Sequence, residues 1–526
     1  MLSALTVDAL QVRAVEIDPR QADAPYLQAL RAFASGGPRR FMVPGHTGGR
    51  ATDPEWRLAV SPDALSIDVP LLIEGIDIAT GGEQSPYELA RRLAADAWGA
   101  SRTWFLTNGA SQGNLAACLA VAGLGSRVVV QRNVHSSTID GLVLAGLEPT
   151  FVAPEIDLEL GIAHCVTPDA LDAALTATPG AAAAMVVSPT YFGAVADVRS
   201  LSQIAHAHGV PLIVDEAWGA HLAFSKLLPE HALAAGADLV VSSTHKHAGS
   251  LSQSAMLHLG PRLHLSEERI DRSLALVSST SPSSLMRASL DASRRHAVLN
   301  GRALLANAIG DLAQLREQIE RDCGLPVLDD RIVGRFGIAA IDPMRVCVDV
   351  RSTGATGYEV GRQLFDDGVH VELCSHSVVV ALFGLHDDVA AHGEAVRDAL
   401  ERSCERLRRR PQAAALHRRR RPPQWGAAAM APRAAYLAHS EQVPVSCAEG
   451  RIAAECLAAY PPGIPNVIPG ERLTTEIIAH LVATVQDGGV VRGAADPTLQ
   501  TLRVVREPAA AAWVHDNRAK KLRTAA

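Results

Sequence analysis

The chain has 526 residues, of which 48% are hydrophobic, and its formal net charge is −7 with a pI near 6.3. This length exceeds one ordinary hydrophobic core, so about two or three domains are expected. The acidic balance argues against a nucleic-acid or membrane-surface protein, and no run approaches the roughly 20 apolar residues of a membrane helix. The eight cysteines lack C-x-x-C spacing and no signal-peptide pattern is present, so we expect a cytoplasmic protein.

Loops and short helices make up the first hundred residues. Residues 1–40 form a segment too short for its own domain, with one helix predicted around 25–35. The glycine-rich loop 41–50 presents His46, and alone such a loop is most often a connection. A second polar loop carries Glu74 and Asp77 before an amphipathic helix at 87–98.

Alternating strand and helix patterns between about residues 100 and 260 predict a mostly parallel sheet that is covered by helices on both faces. Strands are predicted at 103–107, 127–131, 183–187, 211–214, 239–241 and 255–257, and helices at 112–121 and 198–208. In open α/β sheets, ligands bind beyond the carboxyl ends of the strands. The polar residues that follow these strands are therefore the candidates for a site.

Two junctions between a strand and a helix suit an anionic ligand. The turn that contains Gly109, Ala110 and Ser111 opens a helix, where free backbone amides and the Ser111 hydroxyl can bind a phosphate. The alternative is an ordinary N-cap serine. His135 opens the following helix at the same predicted edge, where it either faces a ligand or is only a helix-start histidine.

Asp215 and Lys246 each follow a predicted buried strand. An ionised carboxylate there is costly unless it is paired, so Asp215 is either the partner of a cation such as a pyridinium or the cap of the next turn. Lys246 lies between small hydroxyl residues and an apolar segment, which argues against an ordinary surface lysine. Desolvation lowers the pKa of an amine, and lysines of this kind form Schiff bases. Pyridoxal phosphate also needs a carboxylate, a phosphate site and a group over its ring, and all three occur upstream.

The remainder of the chain predicts a long helix and a second, smaller α/β domain. The helix is expected at 292–318, and the smaller domain has strands at 345–350 and 369–373 around a helix at 358–365, with a last helix at 473–486. Nine arginines between 402 and 421 form either a patch for an acidic partner or, as we favour, a solvated helix end and linker. We divide the chain into an N-terminal segment (1–40), a cofactor-binding large domain (41–310) and one or more C-terminal small domains (311–526).

Together these motifs resemble the bacterial Orn/Lys/Arg decarboxylases, which use pyridoxal 5'-phosphate and share the aspartate aminotransferase fold, fold type I. The resemblance spans roughly residues 25–490, and it rests on motifs that are specific only in combination: Pro44–Gly49, Asn108–Ser111, His135–Ser137, Val214–His221, Ser243–Lys246, Ser252–Met256, Thr280–Ser283 and Tyr460–Pro465. It implies an α/β fold with a mostly parallel, seven-stranded sheet in the large domain and a smaller C-terminal α/β domain.

The resemblance also implies roles for individual residues. Lys246 would hold the cofactor as a Schiff base, Asp215 would pair with the pyridinium nitrogen, and His135 would stack on the ring. Trp218 would lie near the ring hydroxyl, and Thr280 would reach the cofactor of a partner subunit in a homodimer or higher homo-oligomer. The phosphate would be held by Gly109, Ala110, Ser111, Ser243 and His245.

The implied activity is decarboxylation of arginine, lysine or ornithine in polyamine-related metabolism, with Lys246 or His245 returning a proton to Cα. The distal cation of such a substrate needs a carboxylate, and the candidates are Glu74, Asp77 and Glu372; no metal is expected. Many family members have lysine at Thr47, and most short forms have histidine at Trp218, which affects the substrate assignment. Because the motifs begin near residue 41, we expect a short form without an N-terminal receiver-like domain.

Two alternatives stay open at the level of the sequence. One is another reaction of the same cofactor, such as transamination or aldol cleavage. The lack of an obvious arginine motif for an α-carboxylate argues mildly against transamination, although Arg345 or Arg451 could serve. The other is a cofactor-free regulatory homologue, and the intact set of Lys246, Asp215 and His135 argues against it.

Overall fold

A computed structural model describes residues 17–71, 73–77, 81–261, 265–385, 388–408, 423–460 and 463–506. Its α-helices are Pro25–Ser35, Pro54–Val60, Pro62–Ser66, Pro86–Trp98, Gly109–Ala122, Ser136–Ala145, Pro168–Ala177, Val198–Ala207, Thr244–His247, Glu267–Val277, Ser284–Gln318, Gly357–Asp366, Val389–Arg408, Pro432–Leu437 and Thr475–Gln486. Within these described ranges, no helix has both the length and the hydropathy needed to cross a membrane.

The strands of the large domain come first along the chain: β1 (Arg102–Leu106), β2 (Arg127–Gln131), β3 (Glu148–Val152), β4 (Ile156–Asp157), β5 (Ile162–Ala163), β6 (Ala184–Val187), β7 (Ala194–Ala196), β8 (Leu212–Asp215), β9 (Leu239–Ser242) and β10 (Ala255–Leu259). The later strands are β11 (Ile338–Ile341), β12 (Arg345–Asp349), β13 (Leu373–Cys374), β14 (Val378–Leu382), β15 (Ser440–Pro444), β16 (Leu457–Tyr460), β17 (Ile464–Val467), β18 (Val490–Arg492) and β19 (Thr501–Val505).

A seven-stranded sheet forms the centre of the large domain, in the order β1-β10-β9-β8-β6-β2-β3. Neighbouring strands from β9 to β3 run parallel, and β10 alone runs against the others because it pairs antiparallel with both β9 and β1. The two faces of the sheet pack into separate apolar clusters. In β9, for example, Val240 belongs to one cluster and Val241 to the other. This alternation confirms the predicted mostly parallel, doubly covered sheet.

The parallel strands all end at one edge of this sheet, and that edge carries the polar groups predicted from the sequence. Asp215 is the last residue of β8, and Lys246 lies in the short helix that follows β9. His135 caps the helix that follows β2, and Asn108 precedes the helix that follows β1. Residues far apart in the sequence are therefore brought to the same edge.

Two further units follow the large sheet. The long helix Ser284–Gln318 packs its C-terminal half into an apolar cluster with the antiparallel sheet β12-β14-β13 and the helices Gly357–Asp366 and Val389–Arg408. The C-terminal unit has its own cluster, formed by the pair β15-β19, the sheet β17-β16-β18 and the helix Thr475–Gln486. These clusters agree with a division of the chain into a large domain and smaller C-terminal units, which stays our proposal for the domain bounds.

Some local predictions differ from the structure. The strand predicted at 369–373 is wrong except at Leu373, because Val369 and Val371 pack against the small-unit core without joining the ladder of β14. The long helix begins earlier than predicted, at Ser284, because the Ser283 side chain caps it by accepting from the Met286 backbone. Of the arginine-rich segment, residues 402–408 continue a helix, and 409–421 lie outside the described residues.

Candidate active site

A cavity of about 400 Å³ lies at the carboxyl edge of the large sheet. Nine of the residues predicted from the sequence line it: Gly109, Ala110, Ser111, His135, Asp215, Trp218, Ser243, His245 and Lys246. The other predicted residues, Glu74, Asp77, Thr280 and Glu372, are not among the described residues that line it. The cavity thus contains the groups that suit a cofactor, while those assigned to the substrate or a partner subunit lie outside it.

The start of the helix Gly109–Ala122 forms one end of the cavity. Gly109 has a φ of +71°, a conformation that favours glycine, and its backbone N–H donates to the carbonyl of Gln253 at 2.8 Å. The Gln253 side chain donates to Asn108 Oδ1 at 2.9 Å, and the Asn108 side chain makes no capping hydrogen bond to the first turn. The Gln112 side chain accepts from the Asn108 backbone N–H at 3.1 Å, which leaves the amides of Ala110 and Ser111 without a side-chain cap. Ala110 and Ser111 therefore present the first turn of an uncapped helix, with its partial positive charge, to the cavity.

Asp215 is buried, with 7% of its surface exposed, yet its carboxylate is well supplied with donors. Asn114 Nδ2 donates to Oδ2 at 2.9 Å, and the Ala217 backbone N–H donates to Oδ1 at 3.1 Å. Asn114 also donates to the hydroxyl of Ser137 at 3.0 Å. These bonds fix the direction in which the carboxylate faces the cavity.

Asn114 is a site residue that the sequence reasoning missed. It lies one helical turn after Ala110, so the spacing alone indicated that it shares a face with the predicted phosphate site. Tyr191 was also missed; it is buried beside Trp218, with ring centroids 5.9 Å apart, and burial raises the pKa of its phenol. Its position four residues after the end of β6 is the sequence signal that could have found it.

His135 is held as the N-cap of the helix Ser136–Ala145. Its Nδ1 accepts from the Ser137 backbone N–H at 3.2 Å, and Nδ1 and the Ser137 hydroxyl are 2.8 Å apart. Since the backbone donor requires an unprotonated Nδ1, the neutral ring carries its proton on Nε2. Burial lowers the pKa of His135, with Asp215 opposing that shift. The imidazole is therefore a neutral, oriented ring at the cavity wall.

Lys246 reaches the cavity from the short helix Thr244–His247. Its Nζ lies 3.5 Å from the centroid of the Trp218 ring. Desolvation lowers the pKa of Lys246 to about 8, assisted by the charge of Arg345 and opposed by those of Asp215 and Glu372. At neutral pH, about a tenth of such an amine is unprotonated, far more than for an exposed lysine. The neighbouring His245 has its Nε2 3.5 Å from the Ser243 hydroxyl, and burial lowers its pKa too.

The predicted site residues that do not line the cavity differ in exposure and in whether they are already paired. Asp77 is buried and its carboxylate pairs with Arg287 at 3.0 Å. Glu74 and Thr280 are exposed. Glu372 is also exposed, but its charge acts on Lys246, so its carboxylate lies within electrostatic reach of the amine. Among the three carboxylates predicted for the substrate, Glu372 alone is linked to the cavity in this way.

Comparison with known protein families identifies the family of the chain. Residues 24–390 match the family model described as Orn/Lys/Arg decarboxylase, major domain, and residues 417–489 match the model of the C-terminal domain. The chain belongs to the Orn/Lys/Arg decarboxylase family. The resemblance inferred from the sequence motifs is thereby confirmed.

Individual relatives of this family member agree with the assignment. It is 36% identical over 491 residues to the arginine decarboxylase of Bacillus subtilis (strain 168), covering 93% of this chain and 99% of that protein. Lysine decarboxylase A from Pseudomonas aeruginosa superposes with a TM-score of 0.77 at 22% identity, covering 93% of this chain and 81% of that one. The constitutive lysine decarboxylase of E. coli superposes with a TM-score of 0.74 at 19% identity, covering 92% and 82%. These structures confirm the predicted α/β fold.

Proposed function

We propose that this chain is a pyridoxal-phosphate-dependent decarboxylase that converts a basic amino acid, namely arginine, lysine or ornithine, into the corresponding amine. The observation that carries the proposal is the convergence of Lys246, Asp215 and His135 on one cavity beside an uncapped helix start. Family membership supports the same reaction class. The relative named arginine decarboxylase makes arginine the first substrate to test.

The groups in the cavity fit pyridoxal 5'-phosphate. The backbone amides at Ala110 and Ser111 suit its phosphate, and the buried, hydrogen-bonded carboxylate of Asp215 suits a protonated ring nitrogen. The neutral ring of His135 offers a flat face for stacking, and Lys246 offers an amine with a lowered pKa. When bound, the cofactor supplies an electron sink for the bond that breaks at Cα.

The residues of the chain then have distinct tasks. With a pKa of about 8, the Lys246 amine is present in both its neutral and its protonated form near neutral pH. The neutral form can react as a nucleophile, and the protonated form can return a proton from Nζ to Cα of the substrate. His245, whose imidazole also lines the cavity, is the second candidate for that proton transfer. Asp215 holds a negative charge that keeps a proton on the nitrogen facing it. Trp218, which is 5% exposed, excludes water from the Lys246 side of the cavity.

The distal cation of a basic substrate requires a carboxylate, and Glu372 is the best candidate. Its charge already raises the pKa of Lys246, which indicates that a bound cation near the amine would feel the same charge. Asp77 is engaged with Arg287, and Glu74 lies in an exposed loop. We assign Glu74 and Asp77 to the surroundings of the site, and we assign the exposed Thr280 to a contact with the cofactor site of a partner subunit.

Decarboxylation is favoured over transamination by the position of the two arginines that could bind an α-carboxylate. Neither Arg345 nor Arg451 is among the described residues that line the cavity. Arg345 is 1% exposed, with its guanidinium 4.0 Å from the Trp218 ring centroid, and Arg451 donates to Glu441 in the C-terminal unit.

We further propose a homodimer in the cytoplasm with shared active sites. The support is a set of exposed apolar side chains in the segment 41–58, namely Phe41 (95%), Val43 (68%), Trp56 (56%) and Leu58 (80%). Burying such a surface against a second copy is favourable by roughly 25 cal/mol per Å². Light scattering on the purified chain would give the assembly directly.

The decisive experiment is to incubate the protein, supplied with pyridoxal 5'-phosphate, with arginine, lysine and ornithine separately, and to measure carbon dioxide and the matching amine. The variant Lys246→Ala should abolish the reaction, whereas Lys226→Ala, at an exposed lysine, should not. Release from one substrate, lost in Lys246→Ala alone, would support the proposal. If the cofactor is held through Lys246, with absorbance at about 420 nm, but no substrate reacts, the decarboxylase assignment fails.

A further inference from the structure

Arg345 is a buried cation whose surroundings are unusual. It opens β12, is 1% exposed, and donates from Nη1 to the Tyr191 carbonyl at 2.5 Å. Its Nε and Nη2 have no hydrogen-bond partner, and no carboxylate in the described part of the chain forms an ion pair with it within 4.0 Å. A buried guanidinium of this kind is costly unless another group compensates its charge.

The indole ring of Trp218 supplies part of that compensation. The Arg345 Cζ lies 4.0 Å from the ring centroid, and the Nζ of Lys246 lies 3.5 Å from the same centroid. A single buried ring thus contacts two cationic groups, and its negative face attracts both. Any displacement of the ring would therefore change the environment of the amine.

The geometry limits how far apart the two cations can be. Because both distances are measured to one centroid, Arg345 Cζ and Lys246 Nζ are at most about 7.5 Å apart. At this range, two positive charges in a poorly hydrated site repel each other enough to change a pKa by about one unit. The Arg345 guanidinium stays charged at neutral pH, so the repulsion changes the protonation of the Lys246 amine.

We propose that Arg345 is a positioning residue for Lys246: it holds the Trp218 ring against the amine and, through its charge, weakens the binding of a proton to Nζ. The inference rests on the proposed function in that it takes Lys246 as the reactive amine. A purely structural Arg345 would only tie β12 to the carbonyl of Tyr191. That role affects stability but not the protonation of Lys246.

Other charged and titratable groups also affect the protonation of the Lys246 amine, and the test leaves them unchanged. Asp215 and Glu372 favour the protonated amine, and desolvation lowers the pKa values of His135 and His245. Asp342, near Arg345, is already paired with His221 at 3.0 Å. Substituting Arg345 alone therefore removes a permanent positive charge that opposes protonation of Lys246.

The test is the pH dependence of carbamylation by cyanate, in which only the unprotonated amine attacks the cyanate carbon, in the full-length protein freed of bound cofactor. Peptide mass spectrometry follows Lys246, with the exposed Lys226 as a reference in the same sample. We expect Arg345→Met to raise the apparent pKa of Lys246 by about one unit, so that its rate at pH 7 falls about tenfold, while Lys226 is unchanged.

Two further variants distinguish the effect of the Arg345 charge from the effect of its packing. Arg345→Lys keeps a positive charge and should leave the pKa of Lys246 within about 0.3 units of the native value. Arg345→Gln keeps an amide donor for the Tyr191 carbonyl, so it replaces Arg345→Met if that variant does not fold. A neutral, folded variant with an unchanged Lys246 pKa would overturn the proposal, as would an equal shift in Arg345→Lys. Because no substrate is used, failure here is distinguishable from a missing decarboxylase activity.

Discussion

The ion pair between Arg132 and Glu471 joins the C-terminal unit to the loop that carries His135. Arg132 Nη2 and Nε lie 2.9 and 3.1 Å from the two carboxylate oxygens, and the residues are 2% and 3% exposed. Arg132 also donates to the Pro465 carbonyl at 2.7 Å. The substitution Glu471→Gln leaves a buried guanidinium without its counter-charge, so we expect the free energy of unfolding to fall by about 3 kcal/mol.

The same variant should weaken cofactor binding. Arg132 is three residues from His135, and a Cβ at Gly463 of the C-terminal unit would lie 4.0 Å from the His135 ring, so the two segments are in close contact. Urea unfolding followed by circular dichroism gives the stability, and cofactor titration followed by absorbance gives the affinity. The control is Glu230→Gln, which breaks an ion pair between side chains that are 47% and 55% exposed and should cost at most about 0.5 kcal/mol. Equal losses in the two variants would refute the reasoning.

Three other outcomes can be checked. Burial lowers the pKa of His164 to about 4, so between about pH 6.5 and 4 the unfolded chain binds a proton at this histidine and the folded chain does not. The free energy of unfolding should therefore fall by up to about 3 kcal/mol over this pH range. In urea unfolding, His164→Phe should make stability less dependent on pH over the same range. Asp215→Asn should lower kcat by about 100-fold with any reactive substrate while Lys246 still holds the cofactor, as absorbance would reveal. His135→Ala should weaken cofactor affinity about tenfold in equilibrium dialysis, whereas His135→Phe, which keeps a stacking ring, should not.

The strands of the large sheet could be predicted because they are buried on both faces. β2, β6, β8 and β9 appear in the sequence as short, nearly continuous apolar runs, and the structure gives them within one residue of the predicted bounds. The C-terminal strands were harder to predict. β19 pairs with β15, which lies more than fifty residues earlier, so its place in the sheet depends on a distant partner although its own residues alternate between buried and outward positions. Pairing partners that distant leave little trace in a local pattern.

The candidate site was predictable where a residue stands at a strand end. Asp215 directly follows its apolar run, and His135 and Lys246 follow theirs within five residues, so their common edge followed from the parallel topology alone. Asn114 could not be found this way, because it lies inside a helix and its relevance depends on a bond to Asp215, which is 101 residues later in the chain. Sequence patterns indicate which edge of the sheet is polar, and packing decides which side chains support it.

The cavity supports the charge of its two central ionisable groups, Asp215 and Lys246, to different extents. Desolvation disfavours both charges, but the carboxylate of Asp215 receives donors from Asn114 and Ala217. The amine of Lys246 has no comparable support: across the described ranges no oxygen accepts a hydrogen bond from its Nζ, and it rests on the face of Trp218. The site therefore places a hydrogen-bonded carboxylate and an amine with a lowered pKa in one pocket. The proposed reaction at Lys246 depends on this difference, because an amine with hydrogen-bond acceptors of its own would hold its proton more firmly.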